Sequence, residues 1–184
     1  MKLIIGLGNP EEKFKNTRHN VGFRMLSEYV KEKGINFQIK EKFRASIAEL
    51  TKEGEKVLLV KPTTYYNLTG EAARLISDFY KIPPEDILII HDELALPFGT
   101  IRTRTGGSDA GNNGIKSMNQ HIGPNTARIR IGIYNELRDR IDDADFVLSN
   151  FTKIEEDTLD ELVTKTGVLL DSFITGDFQH TTHA

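Results

Sequence analysis

The feature that most constrains this chain is the alternation of short, wholly apolar runs with segments of helical periodicity. Residues 3–7 and 87–90 contain only aliphatic side chains and glycine. A strand that is covered on both faces needs such a run, because neither of its sides meets water. Helices with one apolar stripe, such as the one predicted near residues 20–34, can supply that cover. The pattern therefore predicts an α/β fold, with a twisted, mixed and mostly parallel sheet flanked by helices.

The same periodicities place the other elements. Further strands are predicted near residues 45–50, 56–60, 100–104 and 127–133, and further helices near 69–80, 113–122 and 155–175. Asn20 is expected to cap the first helix. The side chains expected to face inward from the second helix are Ala72, Leu75, Ile76 and Phe79. Arg128 and Arg130 alternate with isoleucines, which predicts a half-buried strand.

Length and composition narrow the class of protein. The 184 residues suit one domain with one core, and no repeat or linker divides residues 1–184. The chain has no cysteine, which excludes disulfides, thiolate nucleophiles and cysteine-bound zinc, and fits a reducing cytoplasm. The apolar run after Met1 is too short for a secretion signal or a membrane span, so we expect a cytoplasmic protein with no membrane partner. A net charge of −3 argues against nucleic-acid binding over the whole surface but allows a local basic patch.

Two titratable residues stand out in the loops near predicted strand ends. His19 lies just before the first helix, and an imidazole, with an ordinary pKa of about 6.5, can take a proton from water at cellular pH. Alone, it would more often be a capping or packing histidine. Asp92 follows the strand at 87–90, from which it could hold one ring nitrogen and stabilise the imidazolium. No serine or cysteine stands out beside the pair, so water is the expected nucleophile.

Amide side chains surround this candidate pair. Asn9, Asn67 and Asn113 each lie where a predicted strand or helix ends, and a primary amide can bond a peptide group or polarise a carbonyl. Each of them alone suits a turn equally well. The remaining histidines lack metal-ligand spacing, so no metal site is predicted. Gly6-Leu7-Gly8 would suit a dinucleotide-binding protein, but Glu11 stands where that motif needs its third glycine.

Taken in order along the chain, these motifs resemble those of the bacterial-type peptidyl-tRNA hydrolases. The similarity covers nearly the whole chain, and the combined order is far more specific than any one motif. The motifs are Gly6-Leu7-Gly8-Asn9-Pro10, Thr17-Arg18-His19-Asn20-Val21-Gly22-Phe23, Lys61-Pro62-Thr63-Thr64 with Asn67 and Gly70, His91-Asp92-Glu93-Leu94, Gly106-Gly107-Ser108, Asn113-Gly114-Ile115-Lys116-Ser117, Arg130-Ile131-Gly132-Ile133, and Phe146-Val147-Leu148-Ser149 with Phe151.

The resemblance implies hydrolysis of the ester that joins a peptide to the 3′ end of a tRNA. His19 would be the base that activates water, Asp92 would stabilise it, and Asn9 would help to distinguish N-blocked from free aminoacyl-tRNA. The side chains expected to form the substrate pocket are Phe14, Tyr65, Tyr66, Asn67, Asn112 and Asn113. No metal or organic cofactor is implied, and members of the family are usually monomeric α/β globules.

A tRNA substrate also requires cations that meet its phosphates. Arg102 and Arg104 share one face of a predicted strand, and Lys116 lies in the first turn of the next helix, so these three residues form the predicted tRNA-binding patch. The helix N-terminus near Asn113 adds partial positive charge. A solvated strand face would explain the two arginines equally well, and both interpretations stay open here.

Four positions near the predicted site depart from the family pattern. Glutamate replaces a usual glycine, phenylalanine a tyrosine, tyrosine a methionine and asparagine a histidine, at Glu11, Phe14, Tyr66 and Asn112 respectively. Phe14 thus lacks a hydroxyl, Tyr66 narrows or repolarises the pocket beside the ester, and Asn112 cannot titrate. Because His19 and Asp92 are intact, the reaction is expected to persist.

Two further points stay open at this stage. The alternative function is that of a diverged paralogue that binds tRNA or peptide with little or no catalysis. Residues 136–145 are charged and poor in core residues, and we expect them to form a mobile flap over the cleft.

Overall fold

The computed structural model describes residues 1–183. Within them, strands form one sheet: β1 (Lys2–Gly6), β2 (Gln38–Lys40), β3 (Ala45–Lys52), β4 (Glu55–Pro62), β5 (Ile87–Pro97), β6 (Ile101–Thr105), β7 (Ala127–Tyr134) and β8 (Thr182–His183). The α-helices are α1 (Val21–Glu32), α2 (Thr69–Tyr80), α3 (Asn113–His121), α4 (Asp143–Val147) and α5 (Lys153–Thr175). In this range no helix is both long and apolar enough to cross a membrane.

The strand order is β2-β3-β4-β1-β5-β7-β6-β8. β1 pairs in parallel with both β4 and β5, and β5 pairs in parallel with β7. The ladders toward both edges are antiparallel. Parallel neighbours need long crossover connections, which α1, α2 and α3 provide. The predicted α/β fold with a mixed sheet is confirmed, and its four central parallel strands present their carboxyl ends at one edge of the sheet.

The helices cover the two faces of the sheet and form two cores. Alternate residues of a strand point to opposite faces. Ile4 of β1 packs on the side of α1 and α5, whereas its neighbour Ile5 packs on the side of α2 and α3. Both isoleucines are fully buried, and burial of such a side chain stabilises the fold by about 1.5–3 kcal/mol. The wholly apolar strands predicted from the sequence are therefore explained by burial on both sides.

The second helix occupies Thr69–Tyr80 as predicted, and Ala72 and Ile76 are buried as predicted, but the inward placement of Leu75 and Phe79 is wrong. Leu75 and Phe79 are 42% and 58% exposed, whereas Ala73 is buried. The reason is close packing between α2 and α3. A Cβ atom on Gly70 would approach a backbone oxygen of α3 to 2.3 Å, so small residues of α2 occupy this contact, while Leu75 and Phe79 are exposed to solvent.

Two other expectations are also wrong. Asn20 occupies the N-cap position of α1, but its side chain forms no capping bond, because it exchanges hydrogen bonds of 2.8 and 2.9 Å with the backbone of Asn9 instead. The strand β7 was predicted to be half-buried, with Arg128 on its exposed side, but the Arg128 residue is only 2% exposed. Its guanidinium donates to the backbone oxygens of Gly107 and Ser108, which lie in the loop that covers this face of the sheet.

Candidate active site

The candidate active site lies where the carboxyl ends of β1 and β5 meet. β5 is longer than predicted, so Asp92 lies inside it rather than in a loop. The single turn of 3-10 helix Arg18–Asn20 leads into α1. This turn can lie against the sheet because Gly22 has no side chain: a Cβ atom there would come within 2.3 Å of the Ile90 oxygen. The close approach brings His19 to Asp92.

His19 and Asp92 form a direct contact in which Nδ1 of the ring lies 2.9 Å from Oδ2 of the carboxylate. The Asp92 side chain is only 2% exposed, whereas His19 is 17% exposed. Because the carboxylate accepts from Nδ1, the lone pair that can take a proton is on Nε2. This is the arrangement of a general base with an orienting carboxylate.

The surroundings of Asp92 keep it ionised. Burial would raise the pKa of its carboxyl, but the neighbouring His19 and the hydrogen bonds from His19 and Tyr66 outweigh burial and hold that pKa below its usual value. The adjacent His91 is different, because burial lowers its pKa to about 4 and its Nδ1 donates to the Asp92 backbone oxygen at 2.7 Å. His91 is therefore neutral and enclosed at cellular pH, which leaves His19 as the base that can meet substrate.

Tyr66 and Asn112 complete the contacts of this carboxylate. The Tyr66 hydroxyl donates to Oδ1 of Asp92 at 2.5 Å, and Nδ2 of Asn112 donates to the Tyr66 hydroxyl oxygen at 2.9 Å. The Tyr66 ring also stacks on His19, with ring centroids 3.5 Å apart and 16° between the ring planes. Oδ1 of Asn112 accepts from the Ile115 amide and caps α3, which determines the direction of the Asn112 amide. The two residues that replace the usual methionine and histidine therefore contact each other and Asp92.

Asn9 is held in place by hydrogen bonds to its backbone on one side and to its side chain on the other. Its own amide N–H donates to the Asn20 side chain at 2.8 Å. Its side-chain oxygen Oδ1 accepts from the Tyr66 amide, also at 2.8 Å. Because Oδ1 is engaged, the Nδ2 group of Asn9 is the part that can donate to a ligand.

Arg18 is a structural residue of the site that the sequence reasoning missed. Its side chain is fully buried and donates two bonds of 2.9 and 2.8 Å to the Glu155 carboxylate. The guanidinium also lies over the rings of Phe146 and Phe151. Arg18 thus joins the residue beside His19 to the start of α5. The available signal was the Thr152-x-x-Glu155 capping box, whose glutamate is free to accept from a second partner.

The cavity above the pair encloses about 580 Å³. Every residue predicted to be catalytic or to form the substrate pocket lines it: Asn9, Phe14, His19, Tyr65, Tyr66, Asn67, Asp92, Asn112 and Asn113. The residues of the wall that the sequence reasoning missed are Glu93, Leu94, Ala95, Asp109, Ala110, Gly111, Val147 and Leu148. The rest of the wall, Arg138, Asp143 and Ala144, belongs to the predicted flap. Asn9 also lines a larger cavity of about 890 Å³, but His19 and Asp92 do not. The smaller cavity is therefore the candidate site.

The segment predicted to be a flap forms one side of this cavity. Residues Glu136–Arg140 make a short 3-10 helix, and α4 follows it. Arg138 connects the segment to the cavity wall by donating to the Leu94 oxygen at 2.9 Å and to Asp143 at 2.8 Å. The position of residues 136–145 beside the cavity agrees with the predicted flap. That this segment is mobile stays a prediction.

The predicted basic patch belongs to a larger set of arginines. Arg102 and Arg104 of β6 lie directly opposite Arg130 and Arg128 of β7, so four guanidinium side chains share one face of the sheet. Burial, with the nearby charges of Arg104 and Arg130, lowers the pKa of Arg128 to about 10. Arg130 donates to Glu93 at 2.8 Å, and Glu93 also lines the cavity. We call these four residues the arginine face, and it adjoins the candidate site through Glu93.

Lys116, the third member of the predicted patch, is exposed on α3. It lies one turn before Asn119, whose side-chain oxygen accepts from Arg128 at 2.9 Å. The structure places Lys116 on the helix next to the arginine face rather than on the face itself.

The chain is similar to proteins of known activity. Residues 3–184 match the family model described as Peptidyl-tRNA hydrolase. The Peptidyl-tRNA hydrolase of Ligilactobacillus salivarius (strain UCC118) is 45% identical over 178 residues, which are 96% of this chain and 95% of that protein. The Peptidyl-tRNA hydrolase of Rickettsia bellii (strain RML369-C) is 43% identical over 176 residues, 94% of this chain and 95% of that one. A crystal structure of peptidyl-tRNA hydrolase from Acinetobacter baumannii superposes with a TM-score of 0.88 at 36% identity, covering 96% of this chain and 89% of the other.

Proposed function

Because the chain belongs to the peptidyl-tRNA hydrolase family, we propose that His19 and Asp92 catalyse the hydrolysis of peptidyl-tRNA in the cavity above them. The protein is a hydrolase of that type. The observation that supports the assignment of residues is the 2.9 Å contact between the His19 ring and the buried Asp92 carboxylate. Within residues 1–183, the cavity is lined by no serine or threonine that could attack the ester, which favours water as the nucleophile.

The proposed reaction is general-base hydrolysis. Nε2 of His19 takes a proton from water as the water oxygen forms a bond to the ester carbonyl carbon. Asp92 stabilises the imidazolium that results. The bond from that carbon to the ribose oxygen then breaks, and the proton passes from the imidazolium to the ribose oxygen. The products are a peptide with a free carboxyl group and a tRNA with a free 3′ end. General-base action of this kind typically contributes about 10²–10⁴-fold to the rate.

The amide side chains would bind the acyl part of the substrate. Nδ2 of Asn9, whose Oδ1 is already engaged by Tyr66, can donate to the carbonyl of an N-blocking group. A free α-amino group offers a cation in place of that carbonyl and cannot accept this bond. Asn67 and Asn113 lie in the same cavity and would contact the ester and its neighbouring groups. One donor to the developing oxyanion is worth about 10²–10³-fold in rate.

Arg102 and Arg104 of the arginine face would bind phosphates of the tRNA, whereas Arg128 is buried under the loop of Gly107 and Ser108. Four guanidinium groups on one face repel one another, and in the described part of the chain the carboxylate that pairs with them is Glu93, on Arg130. A polyanion would relieve that repulsion. Because Arg130 and the cavity wall meet at Glu93, a tRNA bound here would lie next to His19. Lys116 would extend the positive surface along α3.

We also propose that the protein acts as a monomer in the cytoplasm. Residues of this one chain enclose His19 and Asp92 in the cavity, which supports a site formed within a single subunit. The absence of cysteine suits a reducing compartment. The alternative, a paralogue that binds without cleaving, has no support in the geometry, because the pairing of His19 with Asp92 and the surrounding amides is complete.

The direct test compares N-acetyl-aminoacyl-tRNA with free aminoacyl-tRNA as substrates for the wild-type protein and for His19→Ala. We expect cleavage of the blocked ester alone, and a loss of about 10²–10⁴-fold in kcat for the variant with little change in melting temperature. Ester cleavage is measured by release of the labelled acyl group. Binding of the blocked substrate without cleavage would establish the non-catalytic alternative instead.

A further inference from the structure

The Asp92 carboxylate accepts short bonds from His19 and Tyr66 and a longer one, of 3.4 Å, from Nδ2 of Asn112. Its Oδ2 contacts His19, while its Oδ1 accepts a 2.5 Å bond from the hydroxyl of Tyr66. We infer that Tyr66, supported by Asn112, is a positioning residue that sets the acid limit of the hydrolysis by moderating how strongly Asp92 stabilises the imidazolium of His19. This inference rests on the proposed roles of His19 and Asp92.

The hydroxyl of Tyr66 can act only as a donor to Asp92. Burial and the Asp92 charge raise the pKa of Tyr66 well above its ordinary value, so the phenol keeps its proton throughout the useful pH range. A hydrogen bond from a neutral donor to a carboxylate is short and draws negative charge toward the donor. Less charge is then available to hold a proton on the His19 ring.

Asn112 strengthens this effect. Its Nδ2 donates to the Tyr66 hydroxyl oxygen at 2.9 Å, which polarises the O–H bond toward Asp92. The Asn112 side-chain amide cannot flip its oxygen and nitrogen, because its Oδ1 accepts from the Ile115 amide at 3.0 Å. Asn112 therefore donates to Tyr66 and Tyr66 to Asp92, while His19 donates to the other oxygen of the same carboxylate.

The other charged groups around His19 do not take this role. Glu93 is paired with Arg130, Arg138 is paired with Asp143, and His91 is neutral at cellular pH because burial lowers its pKa to about 4. Asp109 accepts from the amide of Gly111 in its own loop. None of these side chains shares a hydrogen bond with the Asp92 carboxylate in the described residues, whereas Tyr66 does. Tyr66 is therefore the group that can adjust how strongly the Asp92 carboxylate stabilises the imidazolium of His19.

The ring and the hydroxyl of Tyr66 can be tested separately. The ring stacks on His19 and limits its rotation, whereas the hydroxyl bonds Asp92. Tyr66→Phe keeps the stack and removes the hydroxyl that bonds Asp92 and accepts from Asn112. Because the 3.4 Å contact from Asn112 is the weaker of the two bonds to Oδ1, more negative charge then stays on Asp92. The His19 imidazolium becomes more stable, and the free base forms only at higher pH. We expect the acid limb of the kcat–pH profile, measured with N-acetyl-aminoacyl-tRNA, to move upward by about 0.5–1 pH unit.

Two further variants make the test specific. Asn112→Ser keeps an oxygen that can cap α3 but removes the amide donor, and it should move the limb in the same direction by a smaller amount. Tyr29→Phe is the matched control, because Tyr29 is also buried and also donates a 2.5 Å bond to a carboxylate, that of Asp171. It should lower thermal stability and leave the acid limb where it is.

The same shift can be measured without catalysis. In the substrate-free protein labelled with ¹⁵N-histidine, NMR titration of the His19 ring should show its midpoint at higher pH in Tyr66→Phe than in the wild type. This titration can be measured even if the wild-type protein does not cleave the ester. The lack of cleavage would overturn the proposed function but not the inference about Tyr66. A midpoint that stays in place or moves lower, or a kcat reduced equally at every pH, would show that Tyr66 only packs.

Discussion

Arg18 is fully buried although it is charged, and it lies beside the proposed base in the chain. Its guanidinium forms a bidentate pair with Glu155, which is itself buried. Removing one partner of such a pair typically costs about 3–5 kcal/mol, because the other charge is left without compensation. The position of the His19 turn therefore depends on a residue that lines no part of the cavity.

This pair makes a prediction about acid stability. Burial would raise the pKa of Glu155, but bonds from Arg18, the Thr152 amide and Asn135 outweigh it and lower that pKa. A group with a lowered folded pKa stabilises the protein above its unfolded pKa, and the stabilisation is lost as pH falls through the folded value. Glu155→Gln should thus lower the free energy of unfolding by about 3 kcal/mol at pH 7. The deficit should shrink steadily below pH 4.5, the ordinary pKa of a glutamate.

Denaturant unfolding followed by circular dichroism between pH 3 and 7 would measure this. Asp143→Asn serves as control, because the Asp143–Arg138 pair is exposed and such pairs contribute about 0–1 kcal/mol. A Glu155→Gln deficit that is the same at pH 3 and pH 7 would contradict the assigned role of this pair.

At the scale of elements, the site depends on how closely α1 approaches the sheet. Its first turn contains Gly22, which packs against the backbone of β1 and β5, and the amide of Phe23 donates to the Leu7 oxygen at 3.1 Å. A glycine in a helix normally lowers stability, so its use here reflects the need for contact between two backbones. The contact determines where the turn before α1, and hence His19, meets Asp92.

Gly22→Ala tests this approach. The added Cβ would lie 2.3 Å from the Ile90 oxygen, so α1 must move away from β5. We expect a loss of about 1–3 kcal/mol in stability from overpacking. A displacement near 1 Å at the base should also lower kcat by about 10²-fold.

The matched substitution is Gly167→Ala in α5, where the nearest atom to a new Cβ, on Tyr29, is 3.7 Å away. There the alanine should stabilise the protein by about 1 kcal/mol and leave kcat unchanged. Melting temperatures and single-turnover rates of both variants would measure these effects on stability and on catalysis. Normal turnover by Gly22→Ala would mean that the approach of α1 does not position His19.

At the scale of the whole molecule, the sheet order places the functional parts side by side. The arginine face lies on β6 and β7, Asp92 lies on the neighbouring β5, and Asn9 follows β1, which is next to β5. A substrate that spans these strands would run from the tRNA phosphates to the ester and then to the peptide. The net charge of −3 does not oppose this, because the cations that matter are concentrated on one face.

The arginine face predicts a salt dependence. Arg104→Ala should weaken tRNA binding at low salt and reduce the slope of log Kd against log salt by about 1, since one phosphate contact is lost. Lys31→Ala is the control for charge alone, because Lys31 is exposed on α1, against the opposite face of the sheet. Filter binding or fluorescence anisotropy across 50–300 mM salt would measure both. Equal slopes for Arg104→Ala and the wild type would place the tRNA elsewhere.

The fold of this protein and many residues of its candidate site could be predicted from local sequence patterns. The apolar runs and helical stripes predicted the α/β fold and most element positions, because burial on both faces of a strand imposes a composition that can be read locally. The order of the motifs also predicted which side chains line the cavity, including His19 and Asp92. Residues of this kind are recognisable because their chemistry requires particular side chains.

Only the tertiary structure decided which partners those side chains have. Arg18 and Glu155 are 137 positions apart, and Tyr66 and Asp92 are 26 apart. Contacts at such separations have no periodicity along the chain, so no repeating pattern showed that Arg18 is buried or that Tyr66 bonds Asp92. The exposure of Leu75 and Phe79 and the burial of Arg128 were mispredicted for the same reason. Both follow from neighbours that the fold brings together, and the contacts of Asp92 with His19 and Tyr66 arise in that way too.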